Sequence, residues 1–338
     1  MGLPRQYHNA KLQRKIGDHA FFSDIDSQGF HMVVKNEGEG KSSGRVDSST
    51  DRVLSILDLF TEQNPVWRPE VLMEKLGVAR ATMYRYLRAL VETGFLTPDG
   101  GGGYSLGPRF IEMDRQIRLA DPLLQVARPV MRGLRPEFSG DILLCRYYGQ
   151  SVMSILEDRA DPKILANSVL DRGRPFPLFL GAPSRIILAN LTEQQQQRLF
   201  LRHTQDITAA GLGQNWLEFR NTMRGMVERG YAVASDIDKD LIGISSAVFL
   251  PSGEVTGSLC LVKMRQEVGE ADIAAYGAKV FAAAKEISAC LRKRLDAATV
   301  PGEKVMLKAN SSARRSSKPG ITGRASPRSK SRRVVETE

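Results

Sequence analysis

The sequence has few of the residues that build disulfide frameworks and histidine-based chemistry. Its 338 residues include three cysteines and four histidines. Cys145, Cys260 and Cys290 are far apart and odd in number, which favours buried thiols in a reducing compartment over a disulfide framework. We therefore expect a cytoplasmic protein whose cysteines are packed rather than bridged.

The scarcity of histidine also limits the chemistry that the chain could perform. His8, His19 and His31 lie near the start, which leaves His203 in the body of the chain. Nucleophilic triads and histidine-based metal sites need more than this. The run Gly243–Ala247, GISSA, nearly matches the nucleophile elbow of hydrolases but lacks its final glycine. We therefore predict no catalytic residue, no metal and no cofactor, and keep a hydrolase-like enzyme as an alternative.

Long hydrophobic runs are missing as well. The longest charge-free run in the body, Leu241–Gly253, contains glycine, serine and proline, whereas a membrane span needs roughly 20 apolar residues. The first residues contain no apolar segment of the kind found in secretory signals. We expect no membrane partner, and the length suggests about two domains.

Positive charge is plentiful but unevenly placed. The net charge is +10, and residues 302–338 alone hold ten Lys or Arg against three Glu, a net +7. Because this segment has few apolar residues, we predict a disordered basic tail over 297–338. Such a tail could grip phosphates without sequence preference or simply aid solubility. Residues 1–45 lack periodicity and predict a flexible leader.

The first periodic segment predicts three helices followed by a β-hairpin. After a first apolar helix, a short second helix runs between Pro69 and Gly77, and a third ends before Gly94. Two short apolar runs, Phe95–Thr97 and Tyr104–Leu106, surround a glycine-rich turn. This order predicts an N-terminal winged helix-turn-helix domain.

The third predicted helix carries apolar residues on one face and arginines on the other. Met83, Leu87, Leu90 and Val91 would face inward. The outward face is basic although its domain is nearly neutral, as expected for a surface that docks on DNA. The major groove admits one helix, and glycines let a wing approach phosphate. The predicted DNA contacts are Arg80, Ala81, Thr82, Tyr84, Arg85, Arg88, Gly102 and Gly103. A protein-interaction module that never meets DNA is the alternative.

A linker helix is predicted after the wing, with a break at Asp121-Pro122. We predict that Ile111, Ile117 and Leu119 form a dimer seam, because symmetric DNA readers need two copies. The remaining body alternates strands and helices, which predicts an α+β domain with an antiparallel sheet. The predicted boundaries are a leader over 1–45, the winged helix-turn-helix over 46–108, the linker over 109–122, a second domain over 123–296 and the tail.

This order of parts resembles the IclR family of bacterial transcriptional regulators. The most specific matches are the stretches DRVLSILDLF, LGVARATMYRYLRALVETGFL and YSLGPRF, within a resemblance running from about Asp47 to Leu295. The resemblance implies a regulator rather than an enzyme. It also implies a C-terminal GAF-like domain that binds a small organic acid or aromatic metabolite, and a homodimer or homotetramer on a palindromic double-stranded DNA operator.

The family pattern further implies an effector pocket. Backbone N–H groups at a helix start, Gly181 and Ala182, would suit a carboxylate. Pro183 departs from the pattern because it removes one N–H, and a hydrophobic lining that includes Val262 favours an aromatic or larger acid. The implied effector contacts are Cys145, Leu180, Gly181, Ala182, Asp236, Asp238, Ser245, Ser246 and Cys260. Effector binding would then shift the population between two placements of the winged helices.

Overall fold

Three helices and a two-stranded hairpin form the first part of the structure. The computed structural model describes residues 49–149, 151–160 and 171–298; the predicted leader over 1–45 and residues 299–338 of the predicted tail lie outside this range. The last helix runs to Ala298, so residues 297 and 298, which were expected to begin the disordered tail, are helical instead. The N-terminal elements are α1 Ser49–Asp58, α2 Pro69–Leu76, α3 Arg80–Glu92, β1 Leu96–Pro98 and β2 Tyr104–Leu106.

Packing of α3 against α1 and α2 follows the predicted apolar face. Met83 and Leu87 are fully buried, together with Ile56 of α1 and Leu72 of α2. Gly77 ends α2 in the left-handed conformation at φ 60°, and its N–H donates to the Met73 carbonyl. A left-handed residue costs little only when it is glycine, so this short turn can swing α3 across α2.

The wing begins one residue later than the sequence predicted. Phe95 was expected to start the first strand, but its N–H donates to the Leu90 carbonyl at 2.8 Å, so this residue lies in the turn that closes the end of α3. The strand pairs from Leu96, which lies opposite Leu106. Trp67 extends the hairpin through an isolated antiparallel bridge to Tyr104.

Two consecutive helices follow the wing, and the predicted break between them is confirmed. They are α4 Arg109–Ala120 and α5 Pro122–Leu134. The Asp121 carboxylate accepts from the Leu123 N–H at 2.9 Å and caps α5. The same carboxylate accepts two hydrogen bonds from Arg146, at 2.6 and 3.0 Å. We call the Asp121–Arg146 pair the linker clamp, because it ties the break between the helices to the sheet.

The second part of the chain is built on a six-stranded antiparallel sheet, which confirms the α+β fold class. Its strands are β3 Asp141–Tyr147, β4 Ser151–Asp158, β5 Pro175–Pro177, β6 Ala232–Ala234, β7 Leu241–Phe249 and β8 Val255–Met264. The strand order is β5-β4-β3-β8-β7-β6, so β3 and β8 lie at the centre.

Helices cover both faces of this sheet. The remaining ones are α6 Gly181–Ala189, α7 Glu193–Arg202, α8 Thr204–Ala209, α9 Trp216–Arg229 and α10 Glu270–Ala298. Side chains alternate across a strand: Leu143 and Cys260 pack toward α6 and α9, whereas Ile142 and Leu261 pack toward α5 and α10. The short helix α8 was not predicted from the sequence. No helix in the described ranges is long and apolar enough to span a membrane.

The linker clamp predicts a stability effect. Asp121 has 6% of its side chain exposed, so Arg146→Ala would leave a buried carboxylate without its cationic partner. We expect the free energy of unfolding to fall by about 3 kcal/mol in denaturant titrations. The control is Arg118→Ala, which removes a more exposed pair with Asp114 and is expected to cost less than about 1 kcal/mol. Equal losses would show that the clamp contributes no more than a surface ion pair.

Candidate nucleic-acid interface and ligand pocket

The outward face of α3 is open to solvent at its N-terminal end. Among the predicted contacts, Arg80, Tyr84 and Arg85 are exposed, and Thr82 is half-buried. No side chain caps the helix at Ala79, and its first turn contains no acidic residue. The first N–H groups of a helix lack intrahelical partners and carry partial positive charge. This end of α3 therefore offers hydrogen-bond donors and arginines to an anionic partner.

The arginines of α3 are placed differently. The Arg80 guanidinium lies 5.7 Å from the centroid of the Tyr84 ring, and Arg85 lies 5.5 Å from the Tyr86 ring. Arg88 bonds instead to the Glu92 carboxylate, with Nε and Oε1 2.7 Å apart. Arg80 and Arg85 have no such carboxylate pair among the ion pairs of the described residues. To contact the DNA backbone, Arg88 would have to break its bond to Glu92 and bind a phosphate in its place.

The structure separates the two predicted wing contacts. Gly102 is exposed and left-handed at φ +81°. Gly103 is buried, and its N–H donates to the Asp99 carboxylate at 3.0 Å. A Cβ at Gly103 would lie 2.7 Å from Val66 Cγ1. The predicted phosphate contact at Gly103 is therefore corrected: this glycine is needed for packing, and its donor is already used.

A small cavity lies where the start of α6 meets the loop between β6 and β7. Its volume is about 20 Å³, close to the space that one water molecule needs. Of the predicted effector contacts it brings together Gly181, Ala182, Asp236, Asp238 and Cys260. Pro183 and Val262, which the sequence analysis placed beside the pocket, also line the cavity. The sequence analysis did not name the other lining residues as effector contacts. These are Ala234, Ser235, Ile237, Leu241 and Gly243.

The predicted carboxylate-binding N–H group is already occupied. The Gly181 N–H donates to both oxygens of the Asp236 carboxylate at 3.2 Å. Arg185 Nη2 donates to the same carboxylate and to the Ala210 carbonyl, each at 2.9 Å. Gly181 is left-handed at φ +74°, and a Cβ there would lie 2.4 Å from Ile237 Cδ1. The start of α6 therefore binds an internal carboxylate under the Ile237 side chain.

Four predicted contacts do not line the cavity. Ser246 lies on the opposite face of β7, because side chains alternate along a strand. Its hydroxyl donates to the Gly230 carbonyl at 2.7 Å. Ser245 is buried on the cavity side, but its hydroxyl donates to the Leu259 carbonyl at 2.9 Å. Cys145 and Leu180 belong to the core around the cavity rather than to its wall. Gly243 could have been found from the sequence, since it lies two residues before Ser245 on the same face.

The two buried cysteines are unsuited to nucleophilic chemistry. Burial raises the pKa of the Cys260 thiol to about 12. Burial also raises the pKa of Cys145 well above its usual value. With these raised pKa values both thiols are protonated near neutral pH. They therefore lack the thiolate, which is the reactive form. Within the described residues, no group of three or more histidine, cysteine or acidic side chains could hold a metal ion.

A winged helix with an exposed basic face, joined by a linker to a sheet domain, has the architecture of a DNA-binding transcription regulator. Residues 49–100 match the IclR helix-turn-helix domain, and residues 120–289 match the bacterial transcriptional regulator IclR C-terminal domain. The chain therefore belongs to the IclR family of bacterial transcriptional regulators. Members of this family are regulators rather than enzymes, so the hydrolase-like alternative is set aside.

Individual relatives are distant but cover most of the chain. The HTH-type transcriptional regulator KipR of Bacillus subtilis is 24% identical over 237 residues, covering 70% of this chain and 93% of KipR. The IclR crystal structure from Thermotoga maritima has a TM-score of 0.56 at 18% identity, covering 72% of this chain and 98% of its own. The structure of an IclR homologue from Microbacterium hydrocarbonoxydans, complexed with 4-hydroxybenzoate, has a TM-score of 0.58 at 19% identity. The match covers 73% of this chain and 100% of the homologue.

The thiol environments predict selective labelling. With an aromatic disulfide reagent between pH 7 and 9, Cys290, which is half-buried, is expected to react in the native protein. Cys145 and Cys260 should react only after unfolding, because burial raises the pKa of both thiols and keeps the reagent away from them. Cys290→Ser is the control and should abolish native-state labelling. Rapid reaction of a second thiol in the native protein would contradict the burial seen at these positions.

Proposed function

We propose that this IclR-family regulator reads a palindromic DNA operator through α3 as a homodimer or homotetramer, and that a small acid bound beside α6 changes its operator affinity. The observation that carries the proposal is the exposed start of α3, which has no side-chain cap and presents Arg80 and Arg85 away from the apolar face that packs on α1 and α2. We also propose domain boundaries at 46–108, 109–122 and 123–296.

The proposed DNA contacts have different roles. Arg80 and Arg85, which form no ion pair with a carboxylate of the described residues, would reach base edges, where arginine can bond guanine through two donors. Thr82 would bond a base or phosphate near the helix start. Arg88, paired with Glu92, and the exposed backbone at Gly102 would contact phosphate and set the register of the protein on DNA.

The proposed oligomer would bury the apolar face of α4. No residue of α4 is buried in the single chain, and Ile111, Ile117 and Leu119 are 73%, 59% and 57% exposed. Three large apolar side chains left in water on one helix suggest a protein contact. A second copy would cover them and bring two α3 helices to the two halves of a palindrome.

The proposed effector response would pass through the linker. The linker clamp joins the start of α5 to β3 at the centre of the sheet. Arg172, which lies shortly before β5, also bonds to Asp114 on α4. A ligand that changed the packing beside α6 could alter these ties and favour one placement of the DNA-binding helices. The 4-hydroxybenzoate bound by the Microbacterium homologue supports an acidic effector.

The first experiment is selection of bound sequences from random double-stranded DNA by the full chain at about physiological salt. At this ionic strength sequence-independent phosphate contacts are weakened. Recovery of a palindrome is expected, and it would supply the operator for effector screening. A folded oligomer that recovers no preferred sequence would favour a protein-interaction module instead.

Arg85→Ala is expected to weaken binding to the selected operator by about 1–3 kcal/mol and to relax base preference at one position in each half-site. Its effect on unrelated DNA should be small. Arg88→Ala is the matched control, since it also removes one arginine from α3 but should weaken binding about equally on every sequence. Fluorescence anisotropy over a series of operator variants measures both effects. An Arg85→Ala loss that is uniform over all sequences would show a phosphate contact rather than base reading.

A further inference from the structure

The start of α6 holds a carboxylate that belongs to the protein itself. Asp236, which lies 55 residues from Gly181 in sequence, accepts from the Gly181 N–H and from the Arg185 guanidinium. Both donors come from α6, so together they form a cradle for one carboxylate. Arg185 Nε is also buried and has no hydrogen-bond partner among the described residues. The cradle therefore retains a donor that Asp236 does not use.

The residue after Asp236 fills the space above this cradle. Ile237 approaches Gly181 so closely that a Cβ on the glycine would lie 2.4 Å from Ile237 Cδ1. The cavity left beneath is about 20 Å³. By comparison, a cavity that admits benzene has a volume of about 150 Å³. An aromatic acid therefore cannot enter while Asp236 and Ile237 stay in place.

The segment that would have to move is short and held at both ends. On one side, Ala234 pairs with Gly243 in the sheet. On the other side, the Arg265 N–H donates to the Asp240 carbonyl at 2.7 Å. The residues between them can move without breaking a strand pair. If Asp236 leaves, however, the Gly181 N–H loses its acceptor and Arg185 keeps the Ala210 carbonyl but loses its carboxylate partner.

We infer that Asp236 and Ile237 form an internal plug, and that a carboxylate ligand binds by taking the place of the Asp236 carboxylate at Gly181 and Arg185. This inference rests on the proposed function in that it takes the cavity beside α6 as the effector site. The Arg185 side chain is largely buried, with 14% of it exposed, and a guanidinium left in such a place without an anion is costly. Exchange of one carboxylate for another keeps Arg185 paired, whereas a neutral ligand would leave it unpaired. The plug thus selects for anionic ligands and sets a threshold for their binding.

The consequence for affinity follows from the population of the open form. When a site is blocked in most molecules, the apparent dissociation constant rises by the inverse of the open fraction. Removing the internal carboxylate should therefore tighten the binding of an external one. If Asp236 were instead a direct contact to the ligand, its removal would weaken binding, so the two roles predict opposite signs.

The test uses the full chain with Asp236→Ala and, as matched control, Asp240→Ala. Asp240 is exposed, lies in the same loop and does not line the cavity. The probes are benzoate, its neutral analogue benzamide, and acetate. Sodium chloride at equal ionic strength is the control for the two anions. We expect Asp236→Ala to bind benzoate about tenfold more tightly than wild type by calorimetry, with no such gain for benzamide. Acetate should raise the Tm of Asp236→Ala but not that of wild type or Asp240→Ala.

Benzoate affinity that is unchanged or weaker in Asp236→Ala, together with no effect of acetate on its Tm, would overturn the inference. If Asp236→Ala does not fold, Asp236→Asn decides the question, because the amide cannot neutralise Arg185 and should also favour external carboxylate. These measurements contain no DNA. Operator binding by wild type that is indifferent to every acid tested would count against the proposed function alone, whereas the carboxylate exchange would still be observed in the variant.

Discussion

The two-residue period of the central sheet is the constraint on which the rest of the second domain depends. β3 and β8 are buried on both faces, so each side chain must pack either toward α6 and α9 or toward α5 and α10. Cys260 and Gly243 reach the cavity for this reason, and Ser246 is directed to the Gly230 carbonyl on the other face. A shift of one residue in the register would exchange these two sets. The same strands hold Arg146, which ties the linker to the sheet.

In the winged helix the limiting feature is the short turn between α2 and α3. Gly77 allows the turn, and the buried face of α3 then leaves its arginines in water. The helix end that the proposed function directs at DNA has no capping side chain. By contrast, α5, α7 and α9 are capped by Asp121, Thr192 and Asn215. Orphan N–H groups at α3 cost stability unless water or a ligand satisfies them, which is consistent with a docking end.

The N–H groups at the start of α6 also need an acceptor, and here a residue distant in sequence supplies it. The Asp236 carboxylate supplies the anion that the helix start and Arg185 favour. Ile237 packs against Gly181, and the space left beside it is small in this conformation. A site that is complete without its ligand can still respond to one if the ligand competes for the same donors. The free energy that the ligand gains is then reduced by the free energy of the internal contact.

Much of this architecture could be read from the sequence, because its causes are local. Apolar spacing, Gly77, Asp121-Pro122 and the glycine-rich wing lie within or beside the elements that they define, and they predicted the helices, the break and the hairpin. The alternating strands likewise predicted an antiparallel sheet. What the sequence could not determine depends on residues far apart along the chain. Only the tertiary structure shows that Gly103 packs on Val66, that Ser246 faces away from the cavity and that Asp236 already occupies the Gly181 N–H. Burial and hydrogen bonding between distant segments decide which polar groups remain free, and no local pattern records that.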